Sequence, residues 1–198
     1  MSFYSVLRPG LAALTLASLL SMSAALQAED EFTAPLTALA TSDIAAFASD
    51  PVLIAAINAQ NAVTGGYDQA EIDALDTQWR AEVGATSRPL IDATLSNAAS
   101  QYLAGVQEAS LGKYTEIFAM DAKGLNVAQS TLTSDYWQGD EDKFTASFGA
   151  GAGAVHLGEI EQDESTQVFQ SQVSVPVTDP ATGAVIGAIT VGVDVSML

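Results

Sequence analysis

A strand pattern in the C-terminal part of the chain limits the possible folds more than any other feature. From residue 114 onward, bulky apolar residues alternate with small or polar ones, which is the period of a β-strand. Five strands are predicted, over residues 114–121, 126–131, 154–160, 167–177 and 184–195. An insertion over residues 134–144 separates the second strand from the third. The pattern therefore predicts a sheet built from the second half of the chain.

The two faces of the predicted sheet differ in character. In the fourth strand the valines at positions 173, 175 and 177 share one face, and Gln170, Gln172 and Ser174 share the other. In the last strand one face carries Val191 and Val193, whereas the other carries small residues and ends in Asp194. The apolar face suits packing on helices. The polar face either lines a cavity or meets only water, and the alternation leaves both interpretations open.

Residues 35–110 predict helices. Asp50 followed by Pro51 is a typical helix start, with an aspartate cap and a proline in the first turn. The pair Asp68 and Glu71 predicts a capping box, and the helix after it has an apolar stripe that includes Trp79. We expect Trp79 in the core and its neighbour Arg80 in an ion pair. A further helix is expected from position 89 to a stop at position 112.

Residues 1–28 predict a secretory signal peptide. One arginine precedes an apolar run over residues 11–26, and small residues stand before the acids at positions 29–31. Cleavage after Ala25 and after Ala28 both remain open, and the apolar run is short for a membrane anchor. We therefore expect a periplasmic or secreted protein, soluble after cleavage. A helical lead-in over residues 29–49 and one domain over residues 50–198 would follow.

Composition excludes several classes of function. The chain has 24 acidic and 6 basic residues and a net charge of −18, so it repels nucleic acid. It has no cysteine and one histidine, His156, which excludes thiolate chemistry and multi-histidine metal sites. Oxygen ligands for calcium are present at positions 140–142 and 159–164. Neither run has the spacing and glycine of a known calcium loop, so no metal and no cofactor is predicted.

Several segments, in this order and spacing, resemble a single Cache domain, the PAS-like extracytoplasmic sensor fold also called the PDC sensor. The segments are YTEIFAMDAKG at 114–124, TSDYWQGDE at 133–141, DES at 163–165, VSVPV at 173–177 and IGAITVGVD at 186–194. Two helical segments, 55–61 and 72–82, also resemble the lead-in of such domains. The resemblance covers residues 50–198.

The resemblance implies an α+β fold. Long N-terminal helices would pack on a central, five- to six-stranded antiparallel PAS-like sheet, and a small-molecule pocket would lie between the other face and the insertion. It also implies that two copies pair through the N-terminal helix. Relatives that bind amino acids usually carry an arginine in the insertion to hold a carboxylate, and none lies between Ser130 and Leu198. We therefore expect a small neutral or cationic polar ligand.

The candidate ligand-binding residues combine flat aromatic faces, amides, a hydroxyl and two acids. They are Tyr136, Trp137, Gln138, Asp140, Gln170, Gln172, Ser174 and Asp194. In the family, an acid at the place of Asp194 often holds the ligand ammonium, and an aromatic at the place of Tyr136 or Trp137 packs on the ligand. Other interpretations stay open: Trp137 in the core, Asp194 capping a turn, and Asp140 at the start of a short helix.

The sequence thus predicts an exported, sensor-type protein that binds a small molecule for signalling or uptake and has no enzymatic activity. A membrane receptor or transporter is the expected partner, because the chain ends at the last predicted strand. One alternative is a periplasmic module that binds a protein and has no small-molecule pocket. A second is an acid/base enzyme that uses Asp140 and Glu141, although no nucleophile constellation accompanies them.

Overall fold

The computed structural model describes residues 31–162 and 167–198. The predicted signal peptide and the acids Asp163 and Glu164 lie outside the described residues. Helices form the first half of the described chain. They are α1 (Glu31–Ala48, with a π-helical turn at Ala40–Ile44), α2 (Pro51–Thr64), α3 (Gln69–Glu82), α4 (Pro89–Ser96) and α5 (Ala98–Ala109).

Antiparallel strands form the second half. They are β1 (Tyr114–Asp121), β2 (Asn126–Gln129), β3 (His156–Leu157), β4 (Glu161–Gln162), β5 (Phe169–Thr178) and β6 (Val185–Asp194). Their order is β2-β1-β6-β5-β3, and β4 also pairs with β5. A short helix α6 (Asp142–Thr145) lies in the insertion, and a 3-10 turn (Val195–Met197) follows β6.

The apolar face of the sheet and the helices α1, α2 and α5 form the main core. Val173, Val191 and Val193 from the strands are fully buried there with Ile44, Leu53 and Leu103 from the three helices. The alternation of the strands therefore predicted this face correctly, and the predicted α+β fold is confirmed. The helix α1 buries its apolar side in this same core, so the predicted boundary at residue 50 does not divide two cores.

A smaller core joins α3 and α4 to the insertion. It contains Ile72, Trp79, Ile91, Leu125 and Tyr136. Trp79 is fully buried, as predicted. This second core holds the insertion in place beside the sheet.

The helix starts follow the capping signals. The Asp50 carboxylate accepts a hydrogen bond of 2.9 Å from the backbone N–H of Val52. The carboxylate of Asp68 accepts from the N–H of Glu71 at 3.0 Å, and that of Glu71 accepts from the N–H of Asp68 at 2.9 Å. Both predicted caps are confirmed.

The single helix predicted from position 89 is wrong, because the chain breaks at Asn97. Asn97 has an extended ψ of 161°, and its side-chain oxygen caps α5 by accepting from the N–H of Ser100 at 2.8 Å. Its amide nitrogen donates to the carbonyl of Val127 in β2 at 2.9 Å. A cap that also bonds the sheet therefore turns one expected helix into two.

The predicted strand over residues 154–160 is also wrong in length. Only His156 and Leu157 pair with β5 as a strand, and Gly158 adds one further hydrogen bond of 2.8 Å to the carbonyl of Gln172. Pairing resumes at Glu161 in the separate strand β4. The edge of the sheet is therefore short and interrupted.

Among the described helices, none is by itself long and apolar enough to cross a membrane. The pair α1 and α2 meets the criteria of length and composition only together, and the two helices are bent by 74° where they join.

Candidate ligand-binding cleft

The face of the sheet opposite α1, α2 and α5, here called the front face, carries a polar floor. Glu116 in β1, Gly192 in β6 and Gln172 in β5 lie side by side across three strands. The Gln172 side-chain amide donates to the Glu116 carboxylate at 2.8 Å, across the bare backbone of Gly192. A methyl group on Gly192 would collide with Thr115 and lie 2.9 Å from the Gln170 side-chain oxygen. Glycine therefore leaves room for these polar side chains over β6, and a larger residue would displace them.

A cleft lies over this floor, between the sheet, the insertion and the edge strands. Its larger compartment has a volume of about 850 Å³ and its smaller one about 620 Å³. The two compartments share Lys143, Glu161, Gln170 and Gln172. We call them together the front cleft. The front cleft has the concave shape and convergent polar groups that small-molecule sites require.

The lining of the front cleft is strongly acidic. Seven acids of residues 31–162 and 167–198 line it: Glu116, Asp135, Asp140, Glu141, Asp142, Glu159 and Glu161. Lys143 is the one lysine or arginine among the described lining residues. Its ammonium lies 3.0 Å from the Glu141 carboxylate and 3.2 Å from the Gln138 side-chain oxygen. The cleft therefore presents negative charge together with amide donors and acceptors.

The wall formed by the insertion is fastened to α3 through Asp76. One oxygen of Asp76 accepts from the backbone N–H of Tyr136 at 2.9 Å and of Trp137 at 3.1 Å. The other accepts from Arg80 at 2.7 Å. Burial alone would raise the pKa of Asp76, but the hydrogen bonds from Arg80, Trp137 and Tyr136 outweigh burial and leave the pKa below its ordinary value. The charged carboxylate is thus the form that holds the wall.

Four of the predicted site residues line the front cleft. Gln170 and Gln172 lie on its floor, and Gln138 and Asp140 lie on the insertion side. His156, expected on a strand surface, lies half-buried on β3 and also lines the cleft. The structure brings these five residues together from three separate parts of the chain.

The two aromatic candidates lie elsewhere. Tyr136 is buried in the second core, with its ring stacked on that of Trp79 at a centroid distance of 5.1 Å. Trp137 donates its indole N–H to the carbonyl of Lys123 at 2.8 Å. It borders a neighbouring surface hollow beside Asp76 and Arg80, which shares Asp135, Asp140 and Glu141 with the front cleft. Their predicted contact with a ligand remains a prediction, and these positions place both rings outside the front cleft.

Ser174 and Asp194 lie on the front face but make internal contacts. Ser174 is fully buried and shares a hydrogen bond of 2.9 Å with Thr190. The Asp194 carboxylate caps the final 3-10 turn, accepting from the backbone N–H of Ser196 at 2.9 Å and from its hydroxyl at 2.7 Å. Alternation placed both side chains on the correct face without indicating what covers it.

Sequence reasoning did not name Glu116, considered Glu161 only as part of the acidic run at 159–164, and undervalued Lys143. A signal for Glu116 was present, because it is an acid on the same face of β1 as Phe118 and Met120. No local signal indicated Glu161, whose place in the cleft depends on the pairing of β4 with Gln170. Within the described residues, no group of three acids or histidines is placed to hold a metal ion.

No family model and no curated protein matches the sequence. Among solved structures, the sensor domain of the V. cholerae histidine kinase DctB matches at 18% identity and a TM-score of 0.37, over 84% of this chain and 58% of that chain. The Pseudomonas aeruginosa amino acid chemoreceptor PctC, solved with GABA, matches at 14% and 0.40, over 71% and 56%. The sensory domain of the Campylobacter jejuni chemoreceptor Tlp3, with isoleucine bound, matches at 8% and 0.38, over 71% and 57%.

These neighbours are sensor domains of the Cache type. The family named from the sequence is thus also that of the solved neighbours. The matched parts are the sensor domain of a histidine kinase and the sensory or ligand-binding domains of two chemoreceptors, and none of these domains is itself an enzyme. This chain spans less than two thirds of the length of each of the three.

Proposed function

We propose that this chain is the ligand-binding part of an exported sensor, and that its front cleft takes a small neutral or cationic polar molecule. The observation that carries the proposal is the front cleft itself, a concave polar site between one face of the sheet and the insertion. Its larger compartment, about 850 Å³, lies within the range of roughly 300–1,000 Å³ that is typical of small-molecule sites.

The charges of the front cleft favour an amine over a carboxylate. A ligand ammonium would meet the carboxylates of Glu116 and Glu161 and the amide oxygens of the floor. A ligand carboxylate would meet Lys143, which is already paired with Glu141, and would be repelled by the surrounding acids. The site therefore supports the cationic or neutral ligand that the absence of an arginine predicted.

The alternative of a module that binds only a protein would be supported by a front face without a cavity. The front cleft favours the small-molecule function instead.

Asp140 and Glu141 line the cleft, so turnover of a screened compound would support the enzymatic alternative.

We further propose where the protein acts, which partner it has and how two copies pair. Residues 1–28 would be removed on export to the periplasm or the exterior, and a membrane receptor or transporter would read the bound state. Two copies would pair through α1, whose outer side carries exposed small residues such as Ala38 and Ala45. Sedimentation of the protein from residue 29 onward, with and without ligand, tests the pairing.

A thermal-shift screen of residues 29–198 tests the ligand class. The panel contains 1,4-diaminobutane, choline, amino acids, carboxylates and purines. A compound that binds only the folded protein raises Tm by mass action. We expect an amine to do so, and we expect the Tm rise to shrink in Glu116→Gln and Glu161→Gln. Glu108→Gln, which changes an exposed acid on α5, is the matched control and should keep the full rise.

Two results of the screen would contradict the proposal. A carboxylate without an amine that raises Tm would overturn the ligand class. A folded protein that no compound in the panel stabilises would favour the protein-binding alternative.

A further inference from the structure

A continuous series of side-chain contacts joins the outer face of α3 to the front cleft. The Arg80 guanidinium lies 3.1 Å from one oxygen of Asp135. The other oxygen of Asp135 accepts from the amide nitrogen of Gln138 at 2.9 Å. The amide oxygen of Gln138 accepts from the Lys143 ammonium at 3.2 Å, and that ammonium also lies 3.0 Å from Glu141. We call these five residues the Arg80–Glu141 network.

Gln138 fixes the direction of the hydrogen bonds in the Arg80–Glu141 network. A carboxylate only accepts hydrogen bonds and an ammonium only donates them. If the Gln138 amide turned over, its oxygen would face Asp135 and its nitrogen would face Lys143, and both contacts would be lost. Gln138 is only 1% exposed, so water cannot replace them at low cost. The amide therefore keeps one orientation for as long as Asp135 and Lys143 flank it.

Arg80 anchors the end of the Arg80–Glu141 network that lies on α3, away from the front cleft. It binds Asp76 at 2.7 Å and Asp135 at 3.1 Å at the same time, so its position is set by α3. Among the described residues, Lys143 forms a salt bridge with Glu141 and with no other acid. The ammonium of Lys143 is thus held at the Glu141 side, apart from the floor acids Glu116 and Glu161.

We infer that Arg80 is a positioning residue for the front cleft, which acts through Asp135 and Gln138 to hold the Lys143 ammonium on Glu141. Without Arg80, the Asp135 carboxylate keeps only its hydrogen bonds from the Ser134 hydroxyl at 2.9 Å and from Gln138. Its position is then less tightly held, the Gln138 amide and Lys143 can shift with it, and the ammonium can reach the floor acids. A lysine there would compete with a cationic ligand for the same carboxylates. This last consequence rests on the proposed function, whereas the positioning of Lys143 does not.

The chain offers an unusually simple test by NMR, because it contains only three lysines, Lys113, Lys123 and Lys143. Selective carbon-13 labelling of lysine gives three side-chain signals, and Lys143→Arg assigns one of them. We expect Arg80→Ala to shift the Lys143 signal in the ligand-free protein and to leave that of Lys113 unchanged. An unchanged Lys143 signal in folded Arg80→Ala protein would overturn the inference.

The matched control is Arg88→Ala. Arg88 is the other arginine of the protein from residue 29 onward, and it pairs with Asp92 at 3.0 Å on an exposed helix surface. This variant should shift no lysine signal. If Arg80→Ala does not fold, Asp135→Asn replaces it, since asparagine can still accept from Gln138 but no longer attracts Arg80. Asp135→Asn should also shift the Lys143 signal, and an unchanged signal would again overturn the inference.

The consequence for the ligand is measured with 1,4-diaminobutane as the probe, by calorimetry. We expect Kd to rise about fivefold in Arg80→Ala, the effect of one added like charge near the protein surface, and to stay unchanged in Arg88→Ala. If Lys143 shifts but the diamine binds neither protein, the positioning is supported and the proposed ligand class fails. If the diamine binds both proteins equally, the competition by Lys143 is refuted.

Discussion

The Asp76 carboxylate on α3 accepts a hydrogen bond of 2.9 Å from the backbone N–H of Tyr136 in the insertion. The two residues are 60 positions apart in the chain. The same oxygen also accepts from the N–H of Trp137 at 3.1 Å. One helix side chain thus fixes the backbone from which the wall of the front cleft is built.

Replacement of Asp76 by alanine should loosen this wall. It leaves two backbone N–H groups without their acceptor and Arg80 without its nearer partner, so we expect a loss of about 1–3 kcal/mol in the free energy of unfolding. Asp73→Ala on the same helix is the control, because Asp73 is exposed and bonds only Gln69 among the described residues. Urea denaturation of the two variants measures the difference. Equal losses would show that Asp76 does not hold the insertion.

The stability should fall in acid partly through Glu82. Burial alone would raise the pKa of Glu82, but hydrogen bonds from Gln78 and from the backbone N–H of Ile91 and Leu90 leave it below its ordinary value of 4.5. Below pH 4.5 the unfolded chain therefore binds more protons than the folded one, and stability decreases as pH decreases toward the lower folded pKa.

The variant Glu82→Gln isolates this contribution. The wild type should be the more stable protein at pH 7, and the difference should shrink as pH falls from about 4.5, the ordinary glutamate pKa. Urea denaturation at a series of pH values from 7 to 3 measures it. A difference that stays constant with pH would contradict the assigned direction of the pKa shift.

Two glycines of β6 should respond differently to alanine. A methyl group on Gly187 would collide with the backbone carbonyl of Met120, which cannot turn aside within the ladder. A methyl group on Gly192 would meet the side chains of Thr115, Glu116 and Gln170, which can move. We expect Gly187→Ala to cost about 1–3 kcal/mol of stability, and Gly192→Ala to cost less but to weaken ligand binding. Urea denaturation and calorimetry compare them, and the opposite ranking in stability would refute the argument.

The buried pair Ser174 and Thr190 should behave non-additively. Each hydroxyl is fully buried and the two are 2.9 Å apart. Ser174→Ala or Thr190→Val alone leaves the other hydroxyl unpaired, at a cost of about 1–3 kcal/mol. The double variant should lose less than the sum, because no unpaired hydroxyl remains. A double-mutant cycle by urea denaturation measures the coupling, and simple additivity would refute it.

Part of the candidate site could be predicted from strand alternation. Gln170 and Gln172 are two positions apart on one strand, so alternation along that strand places both side chains on the same face. Both line the front cleft. The same reasoning placed Ser174 on that face, yet Ser174 is buried. Nearby, Phe144 and Phe148 from the insertion side pack over Phe118 and cover the front face. Alternation gives the direction of a side chain but not the element that lies over it.

The aromatic residues show a second limit. Tyr136 and Trp137 are adjacent in the insertion, and their chemistry suits ligand contact as well as core packing. Tyr136 stacks on Trp79, which lies 57 positions earlier, and no local pattern in the insertion reports a partner at that distance. The choice between core and site was therefore made by long-range packing.

The sequence by itself determined the helix starts at Asp50 and Asp68, the two faces of the strands and the acidic character of the molecule. Each of these depends on charge or on residues within a few positions of one another. Only the tertiary structure decided that Asn97 ends a helix, that Glu116 and Gln172 meet over Gly192, and that Arg80 reaches Asp135. Such contacts join residues 30 to 56 positions apart. They exist only because packing of the apolar face brings distant elements to one place.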